Sequence, residues 1–251
     1  DNPMANISVM HHIEDLLLKV VNQRISSRQN QMNMGLSGGD FDIKNPHMWV
    51  SGLYNKSKND GDLNYETDSY GVVTGVDFKL SRRLMSGFGY SYIQSDMESN
   101  NKKIDIDTHS IFGYGEYTRN DWFANLYASY NMFEFSQDKS VLNKVLEGEY
   151  DGEIYGAQLM IGKNLYDCPE NHYLRLRPSV GLRYYHINQD GYTDNAGIKY
   201  DDISGDILTG VVGVELTDNM MINNYPLVQR AYVNATYDLV NDNVSTYMEL
   251  P

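Results

Sequence analysis

Ten long segments after Pro46 alternate apolar and polar side chains with a period of two, the pattern of a β-strand whose two faces meet different surroundings. Most of them are about twice as long as the ~5–6 residues of an average strand, and they reach the ~9–11 residues that a tilted strand needs to cross a bilayer. The segments are 46–56, 67–80, 84–96, 103–118, 121–136, 151–164, 172–187, 198–217, 227–240 and 243–250. This repetition predicts an all-β fold of long antiparallel strands.

The connections between these segments alternate in length. The shorter ones read SRR, RND, YDCPENH and TDNMMINNY, whereas long polar stretches occupy 56–67, 95–103, 136–151 and 187–198. Alternating long and short hairpins are typical of an up-and-down transmembrane β-barrel whose two rims face different compartments. The short join at 240–243 departs from this alternation.

The segment LRLRPSVGLRYY shows how the two faces of one strand differ. One face carries Leu174, Leu176, Pro178, Val180, Leu182 and Tyr184, and the other carries Arg175, Arg177, Ser179, Gly181, Arg183 and Tyr185. A barrel with lipid outside and a hydrated lumen inside accounts for this division. A soluble β-sandwich is the alternative, but its solvated faces would hold fewer glycines, since glycine weakens a strand. Because Pro178 has no N–H, we expect an irregularity of the sheet beside it.

Residues 1–30 are predicted to form one helix, followed by a linker at 31–45 and by the barrel at 46–251. Asn2-Pro3 suits a helix start, since proline is favoured at the first helical position. Apolar residues then recur at helical spacing, namely Val9, Ile13, Leu16, Leu17, Val20 and Ile25. The linker contains three glycines.

Charge and composition exclude some functions. The formal net charge of −14 and the isoelectric point near 4.7 argue against a nucleic-acid partner, whose phosphates require a basic surface. No run of apolar residues approaches the ~18 consecutive residues of a membrane helix. If this chain crosses a membrane, we therefore expect its strands to cross it.

The order of several motifs resembles that of the translocator domain of type Va autotransporters. The helix ISVMHHIEDLLLKVVNQRISSRQ precedes a glycine-containing linker and the strands MWVSGLY, YGVVTGVDFKL and LMSGFGYSYIQSD. Further along, LRLRPSVGLRYYHI resembles the P-x-x-x-L-x-Y strand of that family, GVVGVEL its next glycine-rich strand, and YPLVQRAYVNATYDL its P-x-x-x-A-x-x-x-h-x-f strand. The resemblance covers the chain from about Ile7 onward.

The resemblance implies a twelve-stranded barrel in the bacterial outer membrane with the N-terminal helix inside its pore. The helix would join the barrel to an N-terminal passenger that type V secretion exports to the cell surface. The barrel would lie in the lipid bilayer as a monomer, inserted by the barrel-assembly machinery. About ten strands fall within the chain, and because family members close with two more strands, we expect these after Pro251.

Catalytic and metal-binding candidates are few. Asp105, Asp107 and His109 share one strand face, as an outer-membrane protease with an Asp–His pair at its rim would require. One strand supplies no second carboxylate pair, so a polar rim or lumen cluster is the favoured interpretation. His11 and His12 are adjacent on the helix, where neighbouring side chains point about 100° apart and do not converge on one metal ion. We therefore predict no catalytic residue, no metal and no cofactor.

Self-cleavage of the passenger stays open. Some autotransporters cut the chain within the helix by asparagine chemistry that involves acidic lumen residues. Asn2, Asn6 and Asn22 are present, but there is no Asn-Asn pair, so no cleavage residue is assigned.

Contacts between the helix and the lumen are the predicted site. The candidate residues are Arg175, Arg177 and Arg183 on one strand face, Asp77 on another strand, and Glu14 and Asp15 on the helix. An arginine can bind a carboxylate with two hydrogen bonds, so some of these arginines are expected to contact acids of the helix or the lumen. The alternative is that they line a hydrated pore without a specific partner. A porin-like or adhesin-like barrel without a passenger is the alternative function.

Overall fold

A computed structural model describes residues 3–33, 42–59, 65–99, 102–141, 144–167, 172–193, 195, 197, 199–222, 225–241 and 248–249. Within these ranges the chain forms one helix, α1 (Pro3–Asn33), followed by thirteen strands. No described helical segment is long and apolar enough to cross a membrane.

Nine long strands form the wall of the molecule. They are β1 (Asp42–Asn59), β2 (Tyr65–Lys79), β3 (Leu84–Ser99), β4 (Lys102–Arg119), β5 (Trp122–Val141), β6 (Lys144–Lys163), β8 (His172–Gln189), β11 (Ile203–Ile222) and β12 (Tyr225–Asn241). The short strands are β7 (Leu165–Asp167), β9 (Tyr192–Thr193), β10 (Lys199–Tyr200) and β13 (Met248–Glu249). Neighbouring wall strands follow chain order, β1-β2-β3-β4-β5-β6-β8-β11-β12, and each pair is antiparallel. This is the up-and-down topology that the sequence predicted.

The strands extend further than their alternation predicted. β5 and β6 are each 20 residues long and pair as far as Val141 and Lys144, inside a stretch predicted as a polar connection. Charged side chains do not prevent this pairing, because the ladder is made by backbone groups that need partners in any sequence. Two predicted segments differ: 198–217 is divided between β10 and β11, and of 243–250 the structure describes only β13, which pairs with β10 and not with the wall.

We name the two ends of the wall after the connections that the sequence predicts there. The long polar connections lie at the long-hairpin end, and the shorter connections lie at the short-turn end. The long-hairpin end lies at the joins 59–65, 99–102, 141–144 and 189–203, and the short-turn end at 79–84, 119–122, 163–172 and 222–225.

The wall reverses the arrangement of a soluble core, as the sequence predicted. Large apolar side chains on its outer face are exposed, including Phe88, Leu126 and Val180 at 58 %, 59 % and 59 %. The inner face instead buries Thr67, Ser69, Ser91, Ser95, Thr108, Ser110 and Asn131. An apolar exterior of this kind suits contact with lipid. Inside lipid, a chain can pair its backbone N–H and C=O groups only within a helix or between the strands of a sheet.

Aromatic residues mark the limits of the apolar band. On the outer face of β5, Trp122 lies near the short-turn end and Tyr130 lies eight positions further, with Leu126 between them. This distance corresponds to about 20 Å along the membrane normal, at ~3.3 Å per residue and a strand tilt of ~40°. The Tyr130 hydroxyl donates to Glu153 Oε1 of β6 at 2.8 Å, and Glu134 continues the same face of β5. The ring therefore faces lipid while its hydroxyl reaches a polar layer.

α1 lies against the inner face of the wall and packs there in two apolar clusters. Towards the long-hairpin end, Val9, Met10 and Ile13 pack with Tyr65, Ile93, Met97, Ile104, Ile106, Phe133, Phe135, Tyr150, Ile154, Tyr185 and Ile187. Further along the helix, Leu17, Leu18, Val21 and Ile25 pack with Val73, Met85, Phe112, Tyr114 and Tyr127. The core of the molecule is therefore the interface between the helix and the lumen wall.

Two glycines of β6 allow the helix to approach the wall closely. A Cβ at Gly156 would lie 2.4 Å from Glu14 Oε1, and a Cβ at Gly152 would lie 2.8 Å from the terminal methyl of Met10. The glycines of the polar strand faces thus make room for α1 at these positions.

Pro178 lies beside an interruption of the sheet. On one side it pairs with Val214 of β11. On the other side the ladder between β6 and β8 stops at Gly162 and Ser179, and it resumes only with Leu165 of β7. The break lies opposite Pro178, so the missing N–H falls where the ladder is already interrupted.

Leu126→Arg places a charge at the middle of the apolar band. We expect it to lower the free energy of unfolding in lipid vesicles by about 2–4 kcal/mol, because the guanidinium must enter hydrocarbon. Glu134→Arg, on the same strand and face but outside the band, is the matched control and should change it little. Equal effects of the two variants would refute the assigned position of the bilayer.

Candidate functional site between the helix and the lumen wall

The candidate site is the set of polar contacts that α1 makes along the lumen. They fall at three levels: an upper level near the long-hairpin end, formed by Asn6 and Ser8; a middle level, formed by Glu14 and Asp15; and a lower level near the short-turn end, formed by Arg24, Ser26, Ser27 and Arg28. Each level joins the helix to more than one strand, so the contacts fix both its height and its rotation.

At the upper level, the first turns of the helix bind wall residues near the long-hairpin end. The buried Asn6 donates from Nδ2 to the Tyr150 hydroxyl at 2.8 Å and to Gln189 Oε1 at 3.4 Å. The hydroxyls of Ser8 and Tyr65 lie 2.9 Å apart. Asn6 therefore ties the helix to both β6 and β8.

At the middle level, Glu14 is fully buried against β5. Its Oε1 accepts hydrogen bonds from the Tyr127 hydroxyl at 3.0 Å and Ser129 Oγ at 2.6 Å, and its Oε2 accepts one from Asn131 Nδ2 at 2.8 Å. Three donors at every second residue of one strand thus surround one carboxyl group. Such hydrogen bonding offsets the cost of burying a carboxyl group away from water.

Asp15 binds β8 at the same level, and only β6 separates this strand from β5 in the sheet. Its Oδ1 accepts hydrogen bonds from Arg183 Nη1 at 2.8 Å and from the Tyr185 hydroxyl at 2.9 Å. Arg183 also donates from Nε to Gln158 Oε1 at 3.0 Å, which orients the guanidinium. Because Glu14 and Asp15 are adjacent on the helix, they hold it against β5 and β8 at once.

At the lower level, Asp77 of β2 binds two basic residues of the helix. Its fully buried carboxylate accepts from Arg24 Nε at 2.9 Å and lies 3.2 Å from Arg28 Nε. The Tyr114 hydroxyl also donates to Asp77 and accepts from Trp49 Nε1 at 2.9 Å. Two helix arginines one turn apart therefore share one lumen carboxylate.

Arg175 makes a second lower contact, with a serine of the helix. The buried guanidinium donates from Nη2 to Ser26 Oγ at 3.0 Å and to Glu215 Oε1 of β11 at 3.2 Å, and Ser26 itself donates to Glu215. On β12, Arg230 Nη1 donates to Ser27 Oγ at 3.1 Å.

Arg177, by contrast, binds the wall and not the helix. Its Nη2 donates to Glu116 Oε2 of β4 at 2.6 Å, and its guanidinium lies 3.9 Å from the centre of the Phe123 ring. This pair joins β8 to β4, which are separated in the sheet by β5 and β6, and it passes over the Phe123 ring of β5.

Some of the residues predicted to join the helix and the lumen do contact the helix, and others bind only the wall. Among the arginines, Arg183 binds Asp15 of the helix, Arg175 binds Ser26, and Arg177 makes no hydrogen bond to the described side chains of α1. Asp77 meets helix arginines, whereas a strand arginine was the expected partner. These placements leave the role of the residues in function as a prediction.

Several contact residues were missed at the sequence level. Arg24 and Arg28 are spaced i, i+4 on the helix, which indicated a shared face but not its partner. Tyr127, Ser129 and Asn131 share a strand face, but which carboxyl group they would meet depends on packing across the lumen.

Asp105, Asp107 and His109 lie on the outer face of β4, away from the lumen. Asp107 Oδ1 accepts from the Tyr92 hydroxyl at 2.7 Å, and His109 Nδ1 lies 2.6 Å from the Tyr90 hydroxyl. Within the described part of the chain, no group of three or more His, Cys, Asp or Glu residues is arranged to hold a metal ion.

The Asp77→Asn variant tests the lower level. We expect the free energy of unfolding to fall by about 3–5 kcal/mol, because Arg24 and Arg28 lose the charge of their shared buried partner. Trypsin should also cleave at Arg24 faster. The control is Asp105→Asn, which alters an exposed pair with Lys103 and should leave both measurements unchanged. A wild-type cleavage rate in Asp77→Asn would contradict the proposed anchoring.

Arg183→Ala separates contacts to the helix from contacts within the wall. It should raise amide hydrogen exchange in α1 about tenfold, because the loss of a charged hydrogen bond costs roughly 1.5 kcal/mol. Arg177→Ala is the matched control and should speed exchange in β4 and β8 more than in α1. Unchanged protection of α1 in Arg183→Ala would show that Arg183 does not hold the helix.

Comparisons with known proteins agree with this architecture. The autotransporter beta-domain family model matches residues 48–250. "Outer membrane protein A" of Rickettsia rickettsii is 26 % identical over a match that covers 89 % of this chain and 11 % of that protein. The chain therefore corresponds to a small part of this relative.

Solved structures share the fold at low sequence identity. The translocator domain of autotransporter NalP from Neisseria meningitidis has a TM-score of 0.69 at 15 % identity, covering 94 % of this chain and 83 % of that one. The transport unit of the autotransporter AIDA-I from Escherichia coli has a TM-score of 0.52 at 16 % identity, covering 89 % and 83 %. With a family match over most of its length, the chain belongs to the autotransporter beta-domain family, whose members are barrels of the bacterial outer membrane.

Proposed function

We propose that this barrel anchors a passenger in the outer membrane and supports its export to the cell surface, with the passenger lying N-terminal to α1. The observation that carries the proposal is the direction of α1. Its first turns contact Tyr65 and Tyr150 near the long-hairpin end, and its last turns contact Asp77 near the short-turn end. In bacterial outer-membrane barrels the longer loops face outside, so the chain before α1 emerges at the cell surface.

The wall makes such a passage possible in physical terms. A polypeptide in transit carries backbone groups that need hydrogen-bond partners, and lipid offers none. The inner face of the wall offers hydroxyl, amide and charged groups instead, whereas its outer face is apolar. A segment inside the lumen is therefore shielded from lipid without losing its hydration.

The three levels of contacts explain how export ends. Once the passenger has crossed, α1 occupies the lumen and replaces the hydrating water with specific partners for Asn6, Glu14, Asp15 and Arg24. The passenger remains attached through a helix that the wall holds in one register. The chain acts in this proposal as an anchor and a conduit, not as an enzyme.

The rival functions have less support. An open porin or adhesin-like barrel would not need a helix with partners at three heights of the lumen. A protease would need its acid and histidine to converge in a cleft, whereas Asp107 and His109 lie on the outer face and bind tyrosines. Insertion by the barrel-assembly machinery and action as a monomer follow from the family resemblance and belong to the proposal.

Surface display of an epitope tests the proposal. In the native full-length protein, a tag placed upstream of α1 should be cleaved by protease added to intact cells, whereas a tag in the short turn at Ser81 should be protected. Leu126→Arg, which impairs insertion of the wall, should leave the upstream tag inside the cell. Protection of the upstream tag in cells with an assembled barrel would contradict the proposed direction of export.

A further inference from the structure

The outer face of the wall carries a row of three exposed residues at the short-turn end, which we call the cationic row. Arg119 of β4 lies directly opposite Trp122 of β5, and Trp122 lies directly opposite Lys163 of β6. A tight turn makes the first pair, because Asn120 and Asp121 have φ angles of 49° and 66°, as a two-residue hairpin turn requires. The row therefore crosses three neighbouring strands, with the indole between two cations.

The indole places this row at the edge of the bilayer. The Trp122 ring is 56 % exposed at the limit of the apolar band, and Lys163 Nζ lies 6.0 Å from its centre. Indole rings favour the membrane interface, and lysine or arginine stems can follow apolar surface while their charged ends reach the polar layer. The backbones of Arg119 and Lys163 are about 10 Å apart, at ~4.8 Å per strand. Both long side chains can therefore reach one group that lies against the indole.

The cations of the row have no acidic partner. In the part of the chain that the structure describes, neither Arg119 nor Lys163 forms an ion pair, and Asp121 of the turn forms none either. The backbone carbonyl of Arg83 accepts a hydrogen bond from Thr118 N at 2.8 Å, which brings another exposed arginine beside the row. Positive charge is therefore in excess here, although the formal net charge of the protein is −14.

The opposite rim of the same outer face differs in charge. Lys56 pairs there with Glu66 and Asp68, and Lys103 pairs with Asp105. Further acids on this rim are Asp96, Asp107, Glu134 and Glu153. Exposed lysines near the long-hairpin end thus lie among carboxylates, whereas the cations of the row remain available to an anion from outside the protein.

We propose that the cationic row binds the phosphate of an anionic phospholipid in the leaflet at the short-turn end. Basic residues at a membrane surface attract anionic lipids, and a guanidinium such as that of Arg119 can bind two phosphate oxygens at once. An acidic periplasmic protein is the other partner that the charge would fit. The lipid is favoured because the row adjoins the lipid-facing residues Leu126 and Ile161 on the same strands. This inference goes beyond export, since it requires an assembled barrel but no particular passenger.

Photo-crosslinking to a lipid headgroup tests the proposal. The full-length protein is reconstituted in phosphatidylcholine vesicles that contain a phosphatidylglycerol with a photoreactive group near its phosphate. Crosslinks should fall on residues around Trp122, with a yield about tenfold above that of the matching phosphatidylcholine probe. The double variant Arg119→Gln, Lys163→Gln should abolish this preference, because it removes both cations and leaves the indole in place.

The matched control removes the same charge from the same face at the other rim. Lys56→Gln, Lys103→Gln should keep the preference for phosphatidylglycerol at the cationic row. Heat-modifiable migration on gels selects variants whose barrel has assembled. Equal yields of the two probes in the wild-type protein, or an unchanged preference in the assembled Arg119→Gln, Lys163→Gln variant, would overturn the inference. Surface display of the upstream tag in that variant would leave the export proposal intact.

A crosslink in intact cells separates the lipid from a protein partner. A photoreactive residue in place of Arg83, beside the row, should capture phospholipid in the native full-length protein. Capture of a protein without any phospholipid would assign the row to a protein partner and would also overturn the inference.

Discussion

A bilayer offers no water to the backbone, so each N–H and C=O inside it must find a partner within the protein. The antiparallel ladder supplies these partners between neighbouring strands of the wall, and it turns the chain's alternation into two surfaces. Residues such as Leu126 and Val180 can then face lipid because their neighbours in sequence face the lumen. The polar interior is thus a direct consequence of satisfying the backbone in lipid, and everything that the lumen does depends on it.

A polar interior brings its own cost, since buried charges are tolerated only with partners. α1 supplies many of these partners. Asp77 is neutralised by two helix arginines, Arg183 by Asp15, and Glu14 is held by three neutral donors. The helix is therefore part of the core of the molecule. The same wall holds its apolar residues by packing and its charged residues by hydrogen bonds and ion pairs.

Nine of the ten segments predicted from the sequence correspond to the nine wall strands. The sequence by itself also determined the up-and-down order, the faces of these strands and the helix before them, because periodicity and hairpin length are local properties of the chain. It also indicated that Arg175, Arg177 and Arg183 face a lumen with Asp77. Only the tertiary structure decided that Arg177 binds Glu116 of β4 and that Asp77 binds Arg24 and Arg28. It also decided that Glu14 accepts hydrogen bonds from Tyr127, Ser129 and Asn131. These pairings depend on the height and rotation of α1, which are set by the packing of many side chains from distant strands, and no local pattern encodes them.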